Sequence, residues 1–393
     1  MRALGLMSGT SLDGIDVALV DIVPRASGYA LDLVYFRCVP FDEVFRKRLR
    51  AALPPNEATP SEVAALDVNL GERFAAAAAA LVREAPDGCV DYVATHGLTL
   101  FHCGEASQTL QIGDPYRLRD ALEATVTFDF RRADCALGGN GAPLVPYVDA
   151  LLFASDEADV VALNLGGIAN VTVLPRASQL EEVRAWDTGP ANMLLDAFVT
   201  RRTNGALTMD RDGAYAFAGV VDERALGELV AREAFFLALP PPKSTGRERF
   251  GEALLEAHAD LFAQLSLEDG CATLAAFTAA TIAQSLANYG PAAARVIASG
   301  GGTRNRSLMT MLRERLERAG STLHTSDEYA IPSDAKEAIA FAVLGYETLR
   351  GRPASLPGAT GACRPAVLGA IAPFALARLL AKMHAECAAN GAG

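Results

Sequence analysis

Residues 3–23 read ALGLMSGTSLDGIDVALVDIV. A short apolar run ends at a turn of glycine, serine and threonine. A second run follows in which Ile15, Val17 and Leu19 alternate with other residues. Alternation with a period of two marks a half-buried strand, so the stretch reads strand, turn, strand. Residues 160–174, VVALNLGGIANVTVL, have the same shape, with Gly166-Gly167 at the turn and Asn170 in the returning strand. The copies lie about 157 residues apart, too far for a solenoid repeat and the spacing expected if one domain type occurs twice. A third glycine turn differs. In ARVIASGGGTRNRSLMTMLRERL, residues 294–316, Val296 and Ile297 form a short strand that ends at Gly300, Gly301 and Gly302. Asn305 follows, then a helix with Leu308, Met309, Leu312 and Leu316 on one face.

The 393 residues are 51% hydrophobic and 21% charged, the balance of a globular protein with a sizeable core. A formal net charge of -12 argues against nucleic acid or an anionic membrane as partner. It leaves room for a phosphate ligand, because a nest of backbone N–H groups needs no global positive charge. Seven scattered cysteines, never spaced CxxC, read as reduced and mostly buried thiols of a cytoplasmic protein. The five histidines form no ligand-spaced cluster, and His102-Cys103 has no second pair to complete a metal site. Met1-Arg2 runs straight into the first apolar stretch, so no signal peptide is expected. No apolar run approaches the roughly 20 residues of a membrane span.

Between the glycine turns the pattern alternates between strand and helix. VDYVATHGLTLF (90–101) reads as strand, turn, strand, and ATVTFDF (124–130) as a strand. LAAFTAATIAQSLANYG (274–290) and AKEAIAFAVLGYETLRG (335–351) read as helices ending at glycine. In DTGPANMLLDAFVTRR (187–202), Asp187 or Thr188 can cap a helix with Pro190 in its first turn and Met193, Leu194, Ala197 and Phe198 on its apolar face. A change of domain is expected near residues 140–160.

The first turn suits a phosphate, since glycines let the backbone approach an anion closely and the hydroxyls add donors. An ordinary glycine-rich hairpin is the alternative. The P-loop pattern is absent, and PPPKSTGRE (240–248) lacks the glycine spacing of one. Two strand–turn–strand elements and one strand–GGG–helix together suit a nucleotide, with Gly166, Gly167, Asn170, Gly300, Gly301, Gly302 and Asn305 as its candidate contacts in the second half. Asp187 can accept a proton, or serve only as an N-cap. Arg131 or Arg132 in TFDFRRADCALGGNGAPLVP (127–146) can grip a carboxylate with the guanidinium fork, or form a surface ion pair. His96 and Thr99 in THGLT are candidate sugar contacts, with a purely structural donor as the alternative for His96. TMDRDGAYA (208–216) is an Asx-rich turn without the glutamate that a calcium loop needs at its twelfth position.

Ten strings together resemble one family. GLMSGTSLDGIDVALVD, THGLT, TLQIGDP, DFRRADCALGGNGAPLVP, LNLGGIANVTVL, DTGPAN, PPKSTGRERF, GGGTRN, EAIAFAVLGY and LPGATGA span residues 5–362. They are similar to those of the anhydro-N-acetylmuramic acid kinases, of the sugar kinase/Hsp70/actin superfamily. The resemblance implies an α/β fold of two ribonuclease-H-like domains, of the actin/hexokinase type, flanking a nucleotide cleft. The first would span 1–150, with the C-terminal segment as a candidate completion, and the second 151–393. It implies ATP with Mg²⁺, a cytoplasmic homodimer, and no nucleic acid or membrane partner. It maps ATP phosphate binding onto Gly9, Thr10, Ser11, Leu12, Asp13, Gly14, Ile15 and Asp16, and the catalytic base onto Asp187. Asp13 is the candidate for a Mg²⁺ ligand, with the full ligand set left open. Glu337 either faces the substrate or is an exposed helix-end charge.

The implied reaction is the hydrolytic phosphorylation of 1,6-anhydro-N-acetylmuramic acid to N-acetylmuramic acid 6-phosphate, in peptidoglycan recycling. A related kinase on a levoglucosan-like or free sugar is the alternative, and Arg131 and Arg132 favour the first because the lactyl group carries a carboxylate. A non-catalytic nucleotide switch is the third reading. Three positions depart from the family pattern. Asn140 and Ala191 are mild changes, whereas Leu98, where glutamine is expected, removes an amide that could contact the sugar.

Overall fold

The computed structural model describes residues 1–9, 12–25, 28–54, 56–85 and 87–391, and for residues 247 and 248 the backbone alone. Thr10 and Ser11, two of the expected phosphate contacts, lie outside the described residues. Among those described, twelve strands run in the order β1 (Arg2–Ser8), β2 (Gly14–Pro24), β3 (Tyr29–Pro40), β4 (Tyr92–Cys103), β5 (Gln108–Ile112), β6 (Thr125–Phe128), β7 (Val160–Leu165), β8 (Ile168–Leu174), β9 (Arg184–Pro190), β10 (Arg295–Ser299), β11 (Thr322–Thr325) and β12 (Ala370–Ala372). They form two sheets within a mixed α/β chain. The chain divides into two compact units, Met1–Leu151 with Ala335–Gly393, and Leu152–Asp334.

The first unit holds the sheet β12-β6-β4-β1-β2-β3, with β5 added on β4. β1 and β2 form an antiparallel hairpin, β3 extends it, and β4 and β6 run parallel to β1. One face is covered by the helix Pro60–Glu84, which contributes Leu66, Leu70, Phe74, Ala78 and Leu81 to the core. Its start is set by Pro60 and by a capping box between Thr59 and Glu62. The helix Lys336–Arg350 is buried along nearly its whole length and packs on β1 most closely at Gly5. A Cβ at Gly5 would overlap the carbonyl of Ala338, and one at Gly345 would lie 2.6 Å from Ala94 Cβ. This close approach is why residues 335–393 pack with the first unit. Lys336 is paired at 2.7 Å with the equally buried Asp149. Removing one partner of such a pair strands a charge in the interior, at a cost of about 3–5 kcal/mol.

The second unit repeats the strand order: β11-β10-β7-β8-β9. β7, β8 and β9 are antiparallel neighbours, and β10 and β11 continue parallel to β7. In both units, then, the three antiparallel strands come first and the parallel strands are added on the side of the first of them. The core gathers the strands, the helix Asn192–Arg202 and the helix Leu267–Tyr289 around Trp186, Phe198 and Phe277.

Four sequence expectations are corrected here. The strand–turn–strand at 90–101 is one continuous strand, β4, kinked at Gly97 with φ 73°. Asp187 and Thr188 are not helix caps: both lie in β9, and the next helix begins at Asn192 after Ala191, with no side-chain cap. Leu267–Tyr289 is long and apolar enough to meet the membrane criterion, but 78% of its apolar window is buried in the core. The cysteines are not mostly buried, since Cys38, Cys89 and Cys363 are exposed and Cys103 is half-buried.

Candidate active site

In the second unit one polar row crosses four strands. Ser299 on β10 pairs with Asn164 on β7, Asn164 with Asn170 on β8, and Asn170 with Asp187 on β9. Directly paired residues project on the same face of a sheet, so this row sets the acid beside the amides. The ladder between β8 and β9 is irregular at Asn170, where the register passes from Gly189 to Asp187 and skips Thr188. A bulge of this kind re-aims a side chain. The two glycine turns meet at the end of the row. Gly300 has φ 88°, and a Cβ there would lie 2.7 Å from Asn164 Oδ1 and 2.9 Å from the Leu165 carbonyl. A Cβ at Gly302 would lie 2.7 Å from Leu165 Cβ, and Asn192 Nδ2 donates to the Leu165 carbonyl at 3.2 Å. The first N–H groups of the helix Asn192–Arg202 are tied to the Gly166-Gly167 turn: Asn192 N donates to Gly166 O and Met193 N to Gly167 O. Gly166, Gly167, Gly300, Gly301 and Gly302 therefore bring two turns without side chains together beside Asn164 and Asn192.

Asp187 is half-buried. Its N–H donates to the Lys243 carbonyl at 3.0 Å, and its Oδ2 accepts the Thr245 N–H at 2.8 Å. Asn305 differs from its expected role. It is 5% exposed and its Oδ1 caps the helix Arg306–Arg318 by accepting the Leu308 N–H at 3.0 Å. That oxygen is committed to the fold.

The β1–β2 hairpin carries the first-unit candidates. Ser8 Oγ donates to Gly14 O at 2.8 Å, and Leu12 N to Gly9 O at 3.1 Å. Leu12, with φ 60°, and Ile15 put their side chains into the core, so only their backbone can face a ligand. Asp13 is exposed and Asp16 half-buried. Gly14 is required by packing, because a Cβ would lie 2.8 Å from Pro40 Cα. Arg46, from the helix Glu43–Ala52, donates to Leu12 O at 3.2 Å and brings a cation to this lysine-free turn.

Three sugar-site candidates meet on the first unit. Arg131 donates from Nε to His96 Nε2 at 2.9 Å and from Nη1 to Gly141 O at 2.8 Å. His96 is buried, with the Phe341 ring 4.5 Å away. Burial and then the Arg131 charge hold its pKa well below the usual histidine value. Burial brings Arg131 down to about 10, against the pull of Glu337. Burial raises the Glu337 carboxyl, while Lys336 and Arg131 lower it and Asp149 raises it. Glu337 is thus no exposed helix-end charge. Thr99 Oγ1 accepts the Gln111 amide at 3.1 Å. Arg132 pairs instead with Asp129 at 2.6 Å and lines, with His96, Gln111 and Asp67, a cavity of about 180 Å³.

The match to known proteins covers nearly the whole chain. The family model for anhydro-N-acetylmuramic acid kinase matches residues 1–374. The chain is similar to the anhydro-N-acetylmuramic acid kinase of Streptomyces avermitilis, 43% identical over 376 residues, 95% of this chain and 94% of that one. It is similar to that of Synechococcus elongatus at 39% over 377 residues, with 94% and 98% covered. The enzyme of Bacillus cereus is 38% identical over 381 residues, with 94% and 99% covered. The chain belongs to the anhydro-N-acetylmuramic acid kinase family.

Against the pattern expected of anhydro-N-acetylmuramic acid kinases, Leu98 changes meaning once it is placed. It is 0% exposed and belongs to the hydrophobic cluster with Leu70 and Phe74, so the leucine side chain serves the core. Asn140 sits in a turn held by Asp134, which accepts Gly141 N at 2.9 Å and Thr360 Oγ1 at 2.8 Å, while Asn140 N donates to Thr360 O. Asp134 thus joins two strings of the anhydro-N-acetylmuramic acid kinase resemblance, GGNGAP and LPGATGA. Sequence reasoning gave no role to Asp134, Asn164, Arg46 or Lys243. Asn164 alone left a local signal, as a polar residue inside an apolar strand.

Proposed function

We propose that the protein transfers the γ-phosphoryl group of ATP to O6 of 1,6-anhydro-N-acetylmuramic acid while water opens the anhydro bridge. Membership of its family makes the chain a kinase of that anhydro-sugar; the mechanism, the residue roles and the place in peptidoglycan recycling are our reading. Asp187 takes a proton from water, the water oxygen bonds to the anomeric carbon, and the bond from that carbon to O6 breaks. O6 bonds to the γ-phosphorus, and ADP leaves. One carboxylate suffices where an inverting glycosidase uses two, because phosphorus takes up the leaving oxygen. The observation that supports the reading is the row Asp187, Asn170, Asn164, which pairs the carboxylate across the sheet with the strand that leads into the Gly166-Gly167 turn.

In this reading Gly166, Gly167 and Gly300–Gly302 receive the nucleotide by backbone N–H groups. The hairpin residues Gly9, Asp13, Gly14 and Asp16, with the backbone of Leu12 and Ile15, engage its phosphates. His96, Thr99, Arg131 and Glu337 hold the sugar, with the remaining guanidinium donors of Arg131 available to the lactyl carboxylate. Each unit is ribonuclease-H-like, consistent with the repeated strand order. Among the described residues no three metal-ligating side chains cluster. Mg²⁺ fits here as a metal–triphosphate unit, which needs only one or two carboxylates such as the exposed Asp13. It would neutralise charge on the phosphates. A cytoplasmic homodimer without nucleic acid or membrane partners completes the proposal.

The test is turnover in ¹⁸O-water with ATP, Mg²⁺ and the anhydro-sugar, quenched quickly and read by mass spectrometry. Label on the anomeric carbon of a 6-phosphate, absent with Asp187→Asn, is expected. Turnover of levoglucosan or a free hexosamine alone would move the function to the alternative substrate. No turnover with any sugar would leave a nucleotide switch.

A further inference from the structure

Asp187 lies on β9, the edge strand of its sheet, where one side of the backbone has no strand to pair with. The segment 240–245, PPPKST, covers that edge. Two hydrogen bonds to Asp187 come from it: the Lys243 carbonyl takes the Asp187 N–H at 3.0 Å, and the Thr245 N–H reaches Oδ2 at 2.8 Å. Pro240, Pro241 and Pro242 leave the first half of the segment without N–H groups with which to anchor itself. Its anchor is the Lys243 ammonium. Nζ donates to the carbonyls of Phe236 at 3.1 Å and Leu237 at 3.3 Å, at the end of the helix Ala234–Ala238. It stands 4.7 Å from the centre of the Phe236 ring and 5.8 Å from that of Tyr289. A cation suits both helix-end carbonyls and ring faces.

We infer that Lys243 is a positioning residue for Asp187, locking the strap 240–245 so that its carbonyl and the Thr245 N–H hold the carboxylate in place; this rests on Asp187 being the base. The neighbouring charges are arranged around the same helix. Arg249 stacks 5.1 Å from the Phe236 ring and pairs with Glu233 at 2.7 Å, and Glu233 in turn meets His258 at 3.0 Å. The Tyr289 hydroxyl donates to Ala238 O, and Arg184, on β9 itself, donates to Tyr289 O. Burial draws the Lys243 ammonium down, and the Asp187 carboxylate pushes it back up. The ammonium and the Asp187 carboxylate therefore feel each other's charge.

The experiment compares Lys243→Met, Lys243→Arg and Asp187→Asn in steady-state kinetics over pH, with circular dichroism melts. For Lys243→Met the expectation is kcat lower by about tenfold to a hundredfold, KM for ATP within about twofold, and the acid limb of the kcat profile moved to higher pH. Lys243→Arg keeps the charge and should leave the limb in place with a smaller loss of kcat. A cap that merely stabilised the helix would not move the limb. A folded Lys243→Met enzyme with wild-type kcat and limb overturns the inference alone, provided Asp187→Asn is inactive. Full activity in Asp187→Asn overturns the base reading and the inference with it. Should Lys243→Met not fold, Lys243→Gln takes its place: wild-type kcat and limb in it overturn the inference, and a lowered kcat with the limb moved to higher pH supports it.

Discussion

Arg131 donates from Nε to Nε2 of His96 at 2.9 Å, so the imidazole accepts there and carries its proton on Nδ1, 3.3 Å from the Gly97 carbonyl. A second proton on Nε2 would break this bond and set two cations face to face.

The folded pKa of His96 is therefore depressed, by burial first and the Arg131 charge second. Its unfolded value is about 6.5. Between the two, the unfolded chain binds more protons, so stability rises with pH across that window. It is lost as pH falls below about 6.5, at no more than about 1.4 kcal/mol per pH unit for this one group. Denaturant unfolding of the wild type and of His96→Gln from pH 5 to 7.5 checks this. The variant should show a shallower slope, and equal slopes would show that His96 is protonated in the folded state.

Leu98→Gln inserts an amide into the cluster with Leu70 and Phe74. An unpaired buried amide costs about 1–3 kcal/mol. The melting temperature should fall while KM for the anhydro-sugar stays at the wild-type value. A lower KM with unchanged melting would mean that position 98 faces the sugar after all.

Two glycines should respond to alanine with opposite signs. Gly300→Ala forces a side chain into φ 88° and against Asn164 Oδ1, for a loss of about 1–3 kcal/mol. KM for ATP should rise with it. Gly227 lies within the helix Glu223–Arg232 with nothing within 4 Å of its missing Cβ, so Gly227→Ala should gain about 0.5–1 kcal/mol. Thermal melts of both variants, with ATP titrations, provide the measurement.

The two hairpins and the strand–glycine–helix element were legible because period-two alternation and glycine turns are local signals. The helix at 335–351 was legible for the same reason, from its apolar period and terminal Gly351. What it packs against was not, because the contact at Gly5 depends on a partner more than three hundred residues away. Asp187 was legible as a carboxylate in a striking context, but not its place in β9. Pro190 and the apolar run after it gave a helix-start pattern, and the edge of a sheet overrode it. Arg131 and Glu337 were found as charges, whereas His96 bonding Arg131 joins β4 to a loop that local patterns cannot connect. Lys243 was visible only as part of a string tested against a P-loop, since its partners are main-chain carbonyls and aromatic rings without sequence spacing.

The second unit is one uninterrupted stretch, Leu152–Asp334, while the first is assembled from both sides of it. On the ribosome, β1 through β6 emerge early, but the helix that closes over Gly5 and Ala94 is translated only after the whole of the second unit. The later-made unit can thus finish folding first, while the earlier one waits with a sheet face uncovered. A premature stop after residue 334 would leave the inserted unit whole and strip the older sheet of its cover, so the missing tail would be felt at the opposite end of the gene product.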